Sequence, residues 1–242
     1  MVNVSDQNIL DPLDYDLGAP SKHLIIHQQD DLRIAHEHLF QSATPVRFYH
    51  YPANTFLFVM KGELYLQHHQ QDTESPSQET ALKKHQGIWL AANSINCVNL
   101  LSPSAEVCLV QFSPLHDLSD TPPPFKKMSS GSVESQTGRG QIKTWPLWEG
   151  ESGQICLELY PPQYKETLYY HKKATQYFLP LNGTAFLSDK TKQTEVCPIF
   201  GKIIPHKQPR AVINPNKDSI TMLSVMTPQS TKGRVLLLTR ST

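Results

Sequence analysis

Apolar positions come in short runs rich in Val, Ile, Leu, Phe and Tyr, and the runs are cut by nineteen prolines and eleven glycines. Punctuation of this kind predicts many short strands joined by turns. Long segments with an apolar period of about 3.6 residues are nearly absent, so little helix is expected. Asp30–Phe40 fits a short helix, but Leu32 and Ile34 alternate and a strand is preferred. Glu106–Phe112 and Gln141–Trp145 read as strands, and Val235–Thr239 reads as a C-terminal edge strand. The polar stretch His68–Thr80 reads as a solvated loop between two strands.

The clearest break in the pattern is 119–140. Three consecutive prolines, Pro122–Pro124, favour an extended backbone, and the Ser/Gly-rich residues after them have little to bury. This predicts an N-terminal domain over 1–118, a linker over 119–140 and a second domain over 141–242.

The two halves share a pattern. His50 opens HYPANTFLFVMKGELYL and His171 opens HKKATQYFLPLNGTAFL, and each reaches a glycine, Gly62 or Gly183, twelve residues later. An apolar run lies on each side of that glycine, where a tight hairpin would need a positive φ. A second glycine-led block follows in each half, GIWLAANSINCVN at Gly87–Asn99 and GKIIPHKQPRAVIN at Gly201–Asn214. The spacing between the glycines is seven residues longer in the first half, and the polar stretch His68–Thr80 accounts for the surplus. A repeat that differs in length only at a loop points to a duplicated domain.

These blocks resemble the two characteristic motifs of the cupin superfamily: HxH followed by Glu and Gly, then Gly followed by Pro, His and Asn. The resemblance covers Phe48–Phe112 and Tyr169–Met226. It implies an all-β chain of two tandem cupin-type double-stranded β-helix (jelly-roll) barrels. It also implies, at the usual metal-holding places, Phe48, His50, Thr55 and Asn96 in the first half and Tyr169, His171, Gln176 and Arg210 in the second. Phe cannot ligate, and Arg is a permanent cation. A transition metal needs about three N, O or S ligands, so no metal ligands carry over and no cofactor is expected.

Residues two apart on a strand share a face, so Tyr169 and His171 are expected to point together into the second barrel, joined by Gln176 and Arg210. An Arg fork in an apolar barrel suits a carboxylate or phosphate. His171 is the candidate base and Tyr169 the candidate proton donor or orienter. His50 and Asn96 are the polar candidates of the first barrel. Glu158 is the acid placed nearest the second pocket, where pairing with Arg210 would silence anion binding. Trp145 and Trp148 are expected over a barrel end or an interface, and His206 at the pocket rim or in water.

Lys plus Arg equal Asp plus Glu, giving a formal charge of zero. That removes the bulk electrostatic reason to expect nucleic acid or an anionic membrane as partner. Met1–Gly18 carries early acids and no apolar run, so no secretory leader is read there. The four cysteines form no CxxC pair and are read as reduced, in keeping with a cytoplasmic protein. The expectation is a two-barrel small-molecule-binding protein whose second barrel recognises a polar or anionic metabolite. The halves are expected to pair as an intramolecular pseudo-dimer, and a homodimer would fit the family. Two other classes stay open. One is an enzyme, either a metal-free isomerase or lyase using His171 and Tyr169 or a metal-dependent oxygenase with unplaced ligands. The other is a structural or interaction protein with filled barrels.

Overall fold

The computed structural model describes residues 21–69, 78–112, 125–229 and 233–237. Residues 1–20, 70–77 of the polar stretch, 113–124 of the segment before and within 119–140, and 238–239 of the C-terminal run lie outside them. The chain divides into two compact units, with the boundary between Ser132 and Val133. Every strand pairing is antiparallel, and no α-helix occurs among the described residues. No helix among them is long and apolar enough to cross a membrane.

The first unit runs β1 (Lys22–Gln29), β2 (Leu32–Phe40), β3 (Arg47–Tyr49), β4 (Thr55–Lys61), β5 (Glu63–His69), β6 (Gln78–Lys83), β7 (Gly87–Leu90), β8 (Ile95–Leu100), β9 (Ser104–Phe112) and β10 (Lys127–Met128). One sheet has the order β1-β2-β9-β4-β7-β10 and the other β3-β8-β5-β6. Leu57, Val59, Val107 and Leu109 of the first sheet meet Leu64, Leu66, Leu82 and Val98 of the second in one core. This closes the barrel by burying the inward face of both sheets. The strand preferred for Asp30–Phe40 is β2.

The second unit runs β11 (Gln136–Thr137), β12 (Lys143–Gly150), β13 (Gly153–Tyr160), β14 (Tyr169–Tyr170), β15 (Thr175–Pro180), β16 (Ala185–Ser188), β17 (Gln193–Val196), β18 (Lys202–Ile204), β19 (Ala211–Ile213), β20 (Ile220–Thr227) and β21 (Val235–Leu236). Its large sheet is β11-β12-β13-β20-β15-β18, facing β17-β16-β19 and the pair β14-β21. The run β12-β13-β20-β15-β18 repeats β1-β2-β9-β4-β7, and β17-β16-β19 repeats β6-β5-β8. Its core joins Tyr160, Phe178 and Met222 to Leu187, Val196 and Val212. The fold is all-β, a cupin-type jelly roll built twice.

Three local readings change. Gly62 and Gly183 have the positive φ expected, +82° and +66°. They do not make tight hairpins, because β4 pairs with β7 and β9 while β5 pairs with β6 and β8. Each glycine turns a corner between facing sheets instead. The polar stretch His68–Thr80 is partly strand, since β5 runs to His69 and β6 begins at Gln78. Within 119–140, Lys127–Met128 pairs with β7 and Gln136–Thr137 with β12, because even short extended segments satisfy their backbone groups on an open sheet edge.

Candidate functional site in the second barrel

Strand alternation aims the polar residues inward. On β20, Met222, Ser224 and Met226 share a face, and Gln176 on β15 lies opposite Met226 in register. On β13, Glu158 and Tyr160 share the inward face. Of these, Glu158, Gln176, Ser224 and Met226 line a cavity of about 170 Å³, together with Gln154, with His171, which follows β14, and with Gly233 and Arg234, which precede β21.

The lining is polar and unevenly satisfied. Gln176 Nε2 donates to Ser224 Oγ at 2.9 Å, and Tyr169 Oη donates to Gln176 Oε1 at 3.5 Å. Tyr160 Oη donates to Glu158 Oε2 at 2.7 Å. Arg234 donates from Nη1 to Glu166, holds Nη2 at 3.9 Å from Glu158 Oε1, and lies over the Tyr169 ring at 4.3 Å. Glu166 Oε2 also accepts the Val212 N–H at 3.0 Å. Burial pushes the Glu166 carboxyl up, against the pull of Arg234.

His171 is only 3% exposed, and neither ring nitrogen makes a hydrogen bond of normal geometry among the described residues. Burial first, then the charges of Arg210 and Arg234, push its pKa down to about 4. The Gly233 backbone and Gln176 side chain oppose that shift without overcoming it. The imidazole is therefore neutral near pH 7, one nitrogen a donor and the other an acceptor.

Tyr169 lies against His171 and Gln176, but only His171 and Gln176 line the cavity; Tyr169 and Arg210, expected to join them there, do not. Arg210 is fully buried, donates from Nη1 to the Pro205 and Gln208 carbonyls at 3.4 and 3.3 Å, and lies 5.4 Å from the Tyr169 ring centroid. Glu158 does face inward, but its cation is Arg234. Trp148 is buried, while His206 is exposed in a turn.

In the first barrel the expected residues land differently. Tyr49 pairs with Asn96 as Tyr169 bridges Arg210, so Tyr49, not Phe48, is the counterpart of Tyr169. The connection from Tyr49 to Thr55 is one residue shorter than that from Tyr169 to Gln176. A one-residue slip exchanges the two faces of a strand. His50 is therefore exposed, its Nδ1 3.3 Å from the Ser94 carbonyl, and Tyr51 takes the place of His171. Asn96 is buried and bonded to Ser94 Oγ at 3.0 Å and His68 at 2.9 Å. Thr55 accepts from Gln111 at 2.8 Å.

Sequence reasoning missed Arg234, Glu166 and Ser224, and in the first barrel Glu37. Two had a legible signal: Ser224 and Glu37 each interrupt an inward apolar face, between Met222 and Met226 and between Ala35 and Leu39. Glu37 is closed off completely, accepting from His23 at 2.7 Å, Arg47 at 3.0 Å and Tyr49 at 2.6 Å. Those donors hold its carboxyl below the usual range although burial pushes it up.

No family model and no curated protein matches the chain. Solved structures do. One of oxalate decarboxylase, on its substrate binding mode and reaction specificity, superposes with a TM-score of 0.67 at 10% identity, over 92% of this chain and 77% of that one. A mutant of the Bacillus subtilis enzyme gives 0.67 at 11%, over 97% and 80%. A third, concerned with the Mn(II) centres of the Bacillus subtilis enzyme, gives 0.66 at 10%, over 91% and 75%. The likeness is one of fold, to cupin proteins.

The third comparison corrects the expectation of no cofactor: a protein of this fold carries Mn(II). The described side chains do not fit such an ion. They contain no group of three His, Cys, Asp or Glu able to hold a metal, and the second barrel sets two guanidiniums beside its one inward histidine.

Proposed function

We propose that the second barrel binds a small polar molecule in the cavity bounded by His171, Gln176, Ser224 and Arg234. The observation that carries this reading is the buried imidazole of His171, which lines the cavity and whose two nitrogens make no hydrogen bond of normal geometry with the described residues. Buried polar groups find partners, and leaving one without costs about 1–3 kcal/mol. Ser224 adds a hydroxyl proton free to point at a ligand once Oγ has accepted from Gln176. A cavity near 150 Å³ takes a six-membered carbon ring, so about 170 Å³ suits a molecule of roughly six to eight non-hydrogen atoms.

Binding is favoured over acid–base chemistry by the second member of the expected pair. Tyr169 is fully buried, its hydroxyl faces Gln176, it does not line the cavity, and burial pushes its pKa up.

Calorimetric titration of the full chain with oxalate, glycolate, glycolamide and glycerol tests the reading. We expect at least one to bind in the micromolar to millimolar range, and His171→Phe, which keeps a ring of similar shape without the two nitrogens, to weaken it at least tenfold with the melting temperature retained. No binding by any of the four, or unchanged affinity in the variant, would overturn it.

A further inference from the structure

Resting on the reading of the cavity as a binding site, we infer that Arg234, delivered by the C-terminal segment Gly233–Leu236, is its carboxylate receptor and selects a monocarboxylate over its neutral amide. Two observations point there independently. His171 offers a buried, unsatisfied imidazole on one wall. Arg234 offers a guanidinium on another whose hydrogen bonding is only half used.

The accounting of that guanidinium is specific. Nη1 is committed to Glu166, which is itself fixed by the Val212 N–H. Nη2 sits 3.9 Å from Glu158, beyond hydrogen-bond length. Glu158 is independently held through its other oxygen by Tyr160. The Tyr169 ring supports the guanidinium plane at 4.3 Å, and a third of the Arg234 side chain is open. A planar cation with one edge anchored and the other loosely faced is preorganised for a ligand carboxylate. The carboxylate would take Nη2 in place of Glu158, while the hydroxyl or carbonyl end reaches His171 and Ser224.

Charge balance sets the ligand's limit. Arg234 is the cation that lines the cavity, and one ligand carboxylate takes its Nη2 in place of Glu158. A second carboxylate would find no further cation in the lining. The site is therefore fitted to a hydroxy- or oxo-monocarboxylate rather than a dicarboxylate.

The backbone permits this placement. Gly233 has φ +67° and open space around its missing Cβ, and β21 pairs with β14, with Tyr169 opposite Leu236 and Tyr170 opposite Val235. That pairing fixes the strand whose leading residues, Gly233 and Arg234, line the cavity.

Glycolate and glycolamide, titrated against the full chain by calorimetry, provide the test. Wild type should prefer glycolate at least tenfold. Arg234→Gln should abolish that preference by weakening glycolate alone, with glycolamide changed less than threefold. Arg234→Lys, which keeps the charge but cannot grip Glu166 and a ligand together, should fall between and guards against a folding defect. Glu158→Gln, which removes the competing carboxylate, should tighten glycolate severalfold. If both probes bind and the preference survives Arg234→Gln and Arg234→Lys, Arg234 is not the receptor while the cavity reading stands. If neither probe binds wild type but oxalate or glycerol does, the monocarboxylate inference falls alone. If none of the four binds, both fall.

Discussion

At the scale of single residues, the two barrels solve the same problem differently. Glu37 and Glu158 occupy equivalent inward positions on β2 and β13. Glu37 is locked by three donors, whereas Glu158 has one firm donor and a distant guanidinium. Removing one partner of a buried ion pair leaves the other charge uncompensated. Glu37→Ala should therefore destabilise the first barrel by about 3–5 kcal/mol in urea unfolding. Glu158→Gln should cost well under half of that, since Tyr160 can still donate to an amide oxygen. His171 adds a pH dependence. Its folded pKa of about 4 lies below the ordinary 6.5, so between those values the unfolded chain binds a proton that the folded chain does not. Stability should fall as pH drops through that window, by on the order of 2 kcal/mol from this residue. His85 shares the direction, again through burial, and contributes to the same slope. Comparing urea midpoints at about pH 7.5 and pH 4.5 isolates the His171 part: the loss should be smaller in His171→Gln than in wild type.

At the scale of elements, corners matter more than strands. A Cβ on Gly62 would lie 2.3 Å from the Ser104 carbonyl oxygen, and one on Gly183 would lie 2.8 Å from Ile220 Cγ2. Both residues also hold a positive φ. Gly62→Ala should therefore destabilise by more than the ~1 kcal/mol of an ordinary glycine replacement, and more than Gly183→Ala, because a backbone carbonyl yields less than a side-chain methyl. Urea unfolding of the two variants checks the order. The repeated spacing marked Gly62 and Gly183 as positive-φ positions but read them as hairpin turns rather than corners. The partners of the flanking strands were not readable, because pairing to a facing sheet is a long-range choice. The slip between Tyr49 and Thr55 was hidden for the same reason: equal spacing from His50 and His171 to the glycines concealed a shorter connection that turns His50 outward.

At the scale of the whole chain, two barrels of matching strand order share a sequence of zero formal charge. Proteins without net charge lose the mutual repulsion that keeps copies apart. Solubility at low salt should pass through a minimum near neutral pH and rise by pH 5.5, as several of the eleven histidines gain charge. Light scattering across that range is the measurement. The TM-scores near 0.67 at about 10% identity show a shared fold with little shared sequence, and a fold by itself does not fix a function.

What the sequence alone determined is the all-β class, the repeat and the positive φ of Gly62 and Gly183. These depend on local period, turn chemistry and short spacings, all carried by neighbours in the chain. Only the tertiary structure decided which guanidinium faces the cavity. Arg210 and Arg234 are both near Tyr169, yet one is sealed beneath its ring and the other opens onto the space beside His171. That difference follows from β21 pairing with β14, which brings Arg234 to the cavity lining, and no local pattern encodes it.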